Sequence, residues 1–340
     1  MSHDSPPSVE AVRSDTGLVF ARRDTGDLLL DLHRPSSDDR PVPVVLWLHG
    51  GGWFTGDRTL APDLPRRVRA TGCAIASIEY RLSGQALFPA QLHDVRAAVR
   101  FLRTRAEEYG LDPRAVGAWG ASAGGHLAAL AGLTGHLNAL PGEEDTEGDP
   151  SVQAVAESYG PVDLAALVAE AESASPGGGG ASPEARLLGG PPSQRPEAAR
   201  YASPLNWVSG AAPAFQISHG TGDLLVPHRQ SELLHEALAA AGVSSELYLV
   251  EGYGHGFLNP AGRLDVRTAQ MMDDGRLEAE GPAPAVRRAS SGPGAGAPAG
   301  EPATFGFEDV DAFFRRHLTA RAAARPVATP RPRSTSGETR

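Results

Sequence analysis

Short apolar runs alternate along this chain with stretches in which apolar residues recur every three or four positions. The run at 41–48 is almost continuously apolar, and similar runs lie at 73–78 and 115–119. A strand needs such a run when both of its faces are covered, because neither face then meets water. The pattern therefore predicts that these segments are central strands of a sheet.

The stretches between the runs have helical spacing. One of them begins near residue 88 and ends at Gly110. Its apolar face is made of Leu92, Val95, Val99 and Leu102. Further helices are predicted at 64–70, 230–241 and 307–318, and further strands at 17–20, 27–32, 151–159, 214–218 and 246–250. This alternation favours the α/β class, with a mostly parallel sheet of about eight strands covered by helices on both faces.

Four segments depart from this alternation. Residues 1–10 form a polar arm and residues 321–340 a tail, both predicted to be disordered, which leaves 11–320 as a single domain. Residues 160–210 include a run rich in Ser, Gly and Pro, and they are predicted to form either a cap or lid over a site or a surface loop. Residues 281–303 are dominated by Gly, Ala, Pro and Ser, which bury little apolar surface, so we predict a disordered insertion there.

Composition excludes several classes of partner. The 340 residues carry a formal net charge of −10, and an acidic protein lacks the clustered positive charge that nucleic acids and anionic membranes attract. No segment approaches the roughly 20 apolar residues of a membrane span, and residues 1–7 lack the basic and apolar regions of a signal peptide. We therefore expect a soluble cytoplasmic protein that binds neither nucleic acid nor membrane. A homodimer is left open by the sequence.

Cysteine and histidine usage argues against disulfide and metal chemistry. Cys73 is the single cysteine and lies in an apolar run, so no intramolecular disulfide can form, and a buried strand position is favoured over a nucleophile. No His, Cys and Asp residues have the spacing of metal ligands. The sequence thus predicts neither a metal nor a cofactor.

Residues 120–124 read Gly-Ala-Ser-Ala-Gly and fit the pattern G-x-S-x-G. In that pattern the serine occupies a strained turn between a strand and a helix, where small neighbours let the backbone approach closely. The pattern alone also occurs by chance in glycine-rich turns. Here an apolar run precedes it and an Ala- and Leu-rich run follows it. Ser122 is therefore predicted to be a nucleophile at the N-terminus of a helix, where developing negative charge is favoured.

A serine nucleophile needs a base and an acid that orients the base. Asp223 follows the predicted strand at 214–218, and His255 follows the strand at 246–250 with glycine on either side. The order Ser, Asp, His is one in which this chemistry occurs on open α/β sheets. Among eleven histidines, His255 alone combines that order with a glycine-flanked loop. Glu251 is the main rival acid, but it lies on the same loop as the histidine that it would have to orient.

A glycine-rich stretch supplies candidate donors for an oxyanion. Residues 49–52, His-Gly-Gly-Gly, follow the buried run at 41–48 and match a known oxyanion-binding loop. Glycine is needed there, since a Cβ would block the backbone amides from the substrate oxygen. We predict the amides of Gly51, Gly52 and Ala123 as the donors.

Two aromatic residues flank these motifs. Trp53 follows the glycines directly, and Phe257 lies two residues after His255. Both are predicted to bind the substrate, Trp53 as a wall of the entrance. His49 is predicted to hold the glycine loop in place rather than to react.

Together these motifs resemble the α/β-hydrolase esterases, and more narrowly the bacterial branch that includes acetyl xylan and feruloyl esterases related to the hormone-sensitive-lipase group. The matching stretches lie at 49–53, 56–57, 80–83, 88–94, 120–125, 203–204, 219–227 and 254–257. Ala121 stands where hormone-sensitive-lipase relatives usually carry an acidic residue, which favours the carbohydrate-esterase-like branch. The resemblance implies an α/β-hydrolase fold and a cofactor-free hydrolysis of short-chain acyl esters, acetyl or aryl, of a small molecule through an acyl-enzyme.

Two other functions stay open at this point. An arylformamidase, or another amidase or peptidase, resembles the same scaffold and uses the same triad. A non-catalytic ligand receptor is the other alternative, although such proteins usually lose a triad member and this chain keeps all three candidates.

Overall fold

The computed structural model describes residues 11–36, 40–174, 182–262, 271–290 and 300–319, and these residues contain one ten-stranded sheet. The strands are β1 (Val12–Arg23), β2 (Gly26–Pro35), β3 (Val42–Leu48), β4 (Ala74–Ile78), β5 (Leu111–Ala121), β6 (Ala154–Ser158), β7 (Ala214–Gly220), β8 (Ser245–Val250), β9 (Ala283–Ser290) and β10 (Glu301–Phe305). Their order across the sheet is β1-β2-β4-β3-β5-β6-β7-β8-β9-β10. The strands from β4 to β8 in this order run parallel, and the two strands at each edge pair antiparallel.

Helices connect most of these strands. Those of the described residues are α1 (Leu64–Thr71), α2 (Ala90–Thr104), α3 (Ala106–Tyr109), α4 (Ala123–Thr134), α5 (Leu164–Ala174), α6 (Pro183–Leu188), α7 (Pro196–Ala202), α8 (Arg229–Ala240), α9 (Arg276–Glu280) and α10 (Phe307–Phe314). Short 3₁₀ turns lie at Pro192–Gln194 and Pro204–Trp207, and a π turn at Arg315–Thr319. Within this part of the chain, no helix is both long and apolar enough to cross a membrane. The arm and tail predicted at 1–10 and 321–340 lie outside the described residues.

Strand β3 shows why the central runs are apolar throughout. Val44, Leu46 and Leu48 pack into a core with residues of α2, α4 and α8. Val45 and Trp47 pack into a second core with residues of α1 and α10. Successive side chains of a strand point to opposite faces, so the two sets of β3 side chains lie in the two cores. The predicted α/β class, with helices on both faces of the sheet, is confirmed.

The sheet has ten strands rather than about eight, because residues 281–303 are not a disordered insertion over the positions described. Strand β9 pairs antiparallel with β8 on one side and with β10 on the other, while 291–299 lie outside the described residues. Ala285 packs into the core with α10, and Arg287 donates to Glu246 of β8. A segment with linker-like composition therefore forms strands here, since the edge of β8 offers its backbone hydrogen-bond partners.

Residues 160–210, predicted to form a cap or a surface loop, leave the sheet between β6 and β7 and contain α5, α6 and α7. The stretch 175–181 lies outside the described residues. Helix α6 lies beside the loop that follows β3, because the Arg186 guanidinium is 4.8 Å from the ring centroid of Phe54. The excursion therefore contains helices next to the glycine-rich loop, and its role as a lid stays a prediction.

Candidate active site

Ser122 lies in the turn between β5 and α4, at the carboxyl ends of the parallel strands. Its φ is 55°, in the left-handed region that a residue other than glycine rarely adopts. Two glycines allow the turn to close. A Cβ on Gly120 would lie 2.1 Å from the Gly124 carbonyl oxygen, and a Cβ on Gly124 would lie 2.0 Å from the Leu48 carbonyl oxygen. The strand-to-helix turn predicted at 120–124 is present, with Ser122 directly before the first turn of α4.

We expect Gly124→Ala to lower the free energy of unfolding by about 3 kcal/mol, the upper end of the usual cost of overpacking, because the new methyl group would overlap the backbone oxygen of Leu48. Urea unfolding followed by circular dichroism measures this change. Gly84→Ala is the matched control, since a Cβ at Gly84 meets no atom within 4 Å. Equal stability of the two variants would contradict the close approach at Gly124.

His255 connects Ser122 with Asp223. Its Nε2 lies 2.7 Å from Ser122 Oγ, and its Nδ1 lies 2.6 Å from Asp223 Oδ2. A carboxylate oxygen only accepts hydrogen bonds, so Nδ1 carries a proton and Nε2 is free to accept one from the serine. The structure thus brings together the three side chains predicted as nucleophile, base and acid. Glu251, the rival acid, is exposed, and the Nδ1 position that it would need is occupied by Asp223.

Asp223 is buried, and several donors stabilise its charge. Oδ1 accepts from the amides of Leu225 and Val226, each at 2.9 Å, and Oδ2 lies 3.2 Å from His219 Nε2. Burial acts to raise the pKa of Asp223, but hydrogen bonds from His219 and His255 outweigh it and hold that pKa well below its usual range. Asp223 is therefore a carboxylate at neutral pH. His219 Nε2 also lies 2.8 Å from the Val226 carbonyl oxygen, and sequence reasoning missed its contact with Asp223.

Two neighbouring residues support the His255 loop. The Tyr159 ring meets the imidazole edge to face, with centroids 4.9 Å apart. The His255 carbonyl accepts from the Asp273 amide at 2.7 Å, and Asp273 Oδ2 accepts from the Gly254 amide at 2.6 Å. Sequence reasoning missed Tyr159 and Asp273, because neither belongs to a motif and neither lies close to His255 along the chain.

The glycine-rich loop after β3 packs against the nucleophile turn. A Cβ on Gly50 would lie 3.3 Å from Ser122 Cβ. Gly51 and Gly52 have φ of 109° and 59°, which only glycine adopts without strain. Among the described residues, neither of their amides has a backbone hydrogen-bond acceptor. Ala123 is the first residue of α4, where amides also lack partners within the helix. Gly50 thus lies against Ser122, and the backbone does not use the amides of the three predicted donors.

His49 supports this loop through its own ring. Its Nδ1 donates to the Gly50 carbonyl at 2.7 Å, and the ring stacks on Tyr80 with centroids 4.4 Å apart. The Tyr80 hydroxyl donates to the His49 carbonyl at 2.9 Å. Burial lowers the pKa of His49 to about 4. The imidazole is therefore neutral at pH 7 and holds the loop, as predicted.

Trp53 and Phe257, predicted to bind the substrate, are turned into the protein instead. Trp53 is 2% exposed and donates from Nε1 to His126 Nδ1 at 3.3 Å, while His126 Nε2 donates to the Ala202 carbonyl at 2.7 Å. Phe257 is 0% exposed and packs against Tyr159. Neither side chain is open to a substrate in this structure. Closeness to a motif along the chain does not reveal which way a side chain turns.

Cys73 is buried, as predicted. Burial raises the pKa of its thiol to about 11, so the thiol is protonated at neutral pH and is a poor nucleophile. Over the ranges that the structure describes, no three His, Cys, Asp or Glu side chains converge as metal ligands do.

Known proteins resemble this chain in sequence. A family model described as BD-FAE matches residues 30–238. Esterase LipC of Mycobacterium tuberculosis is 33% identical over 269 residues, which cover 74% of this chain and 63% of the relative. Esterase LipQ of the same organism is 35% identical over 224 residues, which cover 65% of this chain and 52% of the relative. The chain thus spans between half and two thirds of the length of these curated relatives.

Solved structures resemble it as well. A truncated form of a carbohydrate esterase from gut microbiota has a TM-score of 0.63 at 31% identity, covering 74% of this chain and 91% of that chain. The thermophilic esterase Est2 of Thermogutta terrifontis has a TM-score of 0.56 at 26% identity, covering 77% of this chain and 88% of that chain. Both likenesses extend over about three quarters of the present chain.

Proposed function

This chain belongs to the BD-FAE family of esterase-type α/β-hydrolases, and on that premise we propose that it is a serine carboxylic ester hydrolase. The observation that carries the proposal is the hydrogen-bonded series from Ser122 through His255 to Asp223, with distances of 2.7 and 2.6 Å. The esterase names of LipC and LipQ support the same class of reaction.

In the proposed reaction, Ser122 Oγ attacks the ester carbonyl carbon while His255 Nε2 takes the hydroxyl proton. Asp223 keeps its hydrogen bond from Nδ1 and stabilises the imidazolium that forms. The tetrahedral intermediate breaks down as His255 gives the proton to the leaving alcohol oxygen, which leaves the acyl group on Ser122. Water then attacks the acyl carbon, with His255 again as the base, and releases the carboxylic acid and free Ser122.

The oxyanion of each tetrahedral intermediate needs hydrogen-bond donors. We assign this role to the amides of Gly51, Gly52 and Ala123. Their support is the contact of the glycine-rich loop with Ser122, together with the position of Ala123 at the N-terminus of α4, where the helix dipole favours negative charge. One donor of this kind typically contributes about 10²–10³ to the rate.

We propose short-chain acyl esters, acetyl or aryl, of small molecules as the substrates. One structural relative is named a carbohydrate esterase, and Est2 of Thermogutta terrifontis has been solved with propionate and with butyrate bound. Such short carboxylates are products of the reaction proposed here. Ala121 in the nucleophile turn supports the carbohydrate-esterase-like branch on sequence grounds.

Parallel assays on p-nitrophenyl acetate, p-nitrophenyl octanoate, methyl ferulate and N-formylkynurenine test the proposed function. We expect the highest kcat/KM on p-nitrophenyl acetate or methyl ferulate, with a lower value on the octanoate. Spontaneous hydrolysis is subtracted by using heat-unfolded protein in the same buffer. Preferred turnover of N-formylkynurenine would indicate an arylformamidase instead, and a folded protein that turns over none of the four would contradict the proposed function.

Location and assembly remain proposals. The sequence predicts the cytoplasm, which fractionation of expressing cells tests. It leaves a homodimer open, and sedimentation equilibrium of the purified protein decides between one and two copies.

A further inference from the structure

A buried carboxyl group lies behind the catalytic centre. Glu157 of β6 is 1% exposed, and its Oε1 accepts the Gly160 amide. Its Oε2 has no hydrogen-bond partner of standard geometry among the described residues. Burial raises the pKa of Glu157 to about 8, although the Gly160 amide and the Ser231 hydroxyl act in the opposite direction. Glu157 is therefore mainly an uncharged carboxylic acid at pH 7.

A path of polar groups leads from this carboxyl to Asp223. Glu157 pairs with Ile217 in the sheet, so its side chain lies on the same face as that of His219, two residues further along β7. Ser231, at the start of α8, is 0% exposed, and its hydroxyl acts to lower the pKa of Glu157. Its Oγ is 2.7 Å from His219 Nδ1. His219 Nε2 lies 2.8 Å from the Val226 carbonyl oxygen and 3.2 Å from Asp223 Oδ2. The buried acid is thus two side chains away from the acid of the triad.

Two groups on this path can only accept hydrogen bonds, and they determine where the protons lie. The Val226 carbonyl and the Asp223 carboxylate are acceptors, so His219 Nε2 carries a proton, and in the tautomer with a single proton Nδ1 accepts. The Ser231 hydroxyl then has to donate to Nδ1, which leaves its oxygen lone pairs for another donor. A protonated Glu157 is such a donor, whereas an ionised Glu157 would compete with His219 for the Ser231 proton.

We propose that Glu157 is a positioning residue for the catalytic centre, acting as an uncharged acid through Ser231 and His219 on Asp223. In the proposed series the protonated Oε2 of Glu157 donates to Ser231, Ser231 donates to His219, and His219 donates to Asp223. This series fixes the orientation in which the Asp223 carboxylate accepts from His255. The proposal rests on the catalytic roles assigned to Asp223 and His255 under the proposed function.

The titratable groups that face Glu157 come from three places. Strand β7 contributes His219, with Asp223 behind it, the end of β6 contributes Tyr159, and helix α4 brings the backbone amide of His126 close while the His126 ring is engaged elsewhere. Burial lowers the pKa of His126 to about 4 and raises the pKa of Tyr159 well above its usual value. Neither of these two groups changes charge between about pH 6 and pH 9. Among these neighbours, Asp223 is already ionised at neutral pH because its pKa is held low.

Ionisation of Glu157 disrupts the series. As the pH rises through about 8, the carboxylate draws the Ser231 proton toward itself, and His219 Nδ1 loses its donor. His219 is then held less well against Asp223, and kcat falls. The expected direction is thus a loss of activity on the alkaline side that originates outside the triad.

The kinetic test compares wild type, Glu157→Gln, Glu157→Leu and Ser231→Ala on p-nitrophenyl acetate from about pH 6 to pH 9. Glu157→Leu and Ser231→Ala each break the series. We expect kcat of both variants to be about three- to tenfold lower over the whole pH range, because one hydrogen bond contributes about that much. KM should be unchanged. Glutamine retains a donor and an acceptor but does not ionise. We expect it to restore the kcat lost in Glu157→Leu and to lack the alkaline fall.

Ser245→Ala is the matched control. Ser245 Oγ lies 2.8 Å from His235 Nδ1, and both residues are as buried as Ser231 and His219. This second serine–histidine pair is not part of the series that ends at Asp223. We expect Ser245→Ala to lower the Tm about as much as Ser231→Ala while leaving kcat and its pH profile unchanged. Wild-type kcat in Ser231→Ala would overturn the proposal.

Infrared spectroscopy gives a readout that does not depend on turnover. A protonated carboxylic acid has a C=O stretching band that a carboxylate lacks. The wild-type minus Glu157→Gln difference spectrum is expected to contain this band at pH 7 and to lose it as the pH rises through about 8. Absence of the band at pH 7, or an alkaline fall of kcat that persists in Glu157→Gln, would overturn the proposal. A protein that hydrolyses no ester but shows the band would instead contradict the proposed function alone.

Discussion

Ser122→Ala is expected to lower kcat for ester hydrolysis by about 10⁶-fold and to leave the fold intact, because the nucleophile acts as a unit with its base and acid. Only the Ser122 hydroxyl lies within hydrogen-bond reach of His255 Nε2 among the described residues. The turn itself depends on the close approaches at Gly120 and Gly124 rather than on that hydroxyl. Steady-state kinetics on p-nitrophenyl acetate measure the loss, and the Tm reports on the fold.

A phosphonate that reacts with activated serines checks the same residue independently. Est2 of Thermogutta terrifontis has been solved phosphonylated by sarin, and in the present chain we expect one adduct, on Ser122. Ser83→Ala is the control, because Ser83 Oγ has no hydrogen-bond partner among the described residues, and it should retain both turnover and labelling. An adduct on another residue, or normal turnover in Ser122→Ala, would remove Ser122 from the mechanism.

Asp223→Asn is expected to lower kcat by about 10⁴-fold with little change in KM, as in serine proteases that lose this carboxylate. The asparagine amide can donate to His255 Nδ1, which moves the imidazole proton to Nε2. A protonated Nε2 can no longer accept the proton of Ser122. Stopped-flow kinetics separate the loss in acylation from any change in substrate binding.

The same substitution has a signature in stability. The pKa of Asp223 is held below its usual range in the folded protein, so its ionised form stabilises the fold at every pH above the pKa of an unfolded aspartate, about 4. This contribution is lost as the pH falls below that value. Wild type should therefore lose more stability on acidification than Asp223→Asn does, as measured by urea unfolding.

Glu251→Gln is the matched control for Asp223→Asn. Glu251 is exposed, whereas Asp223 accepts four hydrogen-bonding contacts in a buried position. We expect Glu251→Gln to change kcat less than about twofold, as for a surface substitution. If Glu251→Gln were inactive and Asp223→Asn active, Glu251 rather than Asp223 would be the acid that orients His255.

Local features of this chain were predictable because they depend on neighbouring residues. Strand β3 is apolar at every position for the reason that two cores cover it. Helix α1 ends before Gly72 and α3 before Gly110, with φ of 69° and 65° at these glycines, a conformation that glycine adopts without strain. The strained turn at Ser122 was likewise predictable, because the two glycines that let it close lie two residues away on either side.

Other features depended on partners far away in sequence. Residues 283–290 have the composition of a linker, yet they form a strand because β8 presents an unpaired edge. Trp53 and Phe257 sit next to reactive motifs, yet both turn inward because helices and aromatic rings from other segments cover them. Composition and nearness to a motif carry no information on such partners.

By itself the sequence determined the α/β class and the positions of the central strands, and it identified Ser122, Asp223 and His255 as the candidates for nucleophile, acid and base. Only the tertiary structure decided which side chains meet: His219 beside Asp223, Tyr159 against His255, and Glu157 behind them. Periodicity specifies which face of an element is buried, because that depends on residues a few positions apart. The packing of β6, β7 and α8 against one another specifies which polar groups share that buried space, and no local pattern encodes it.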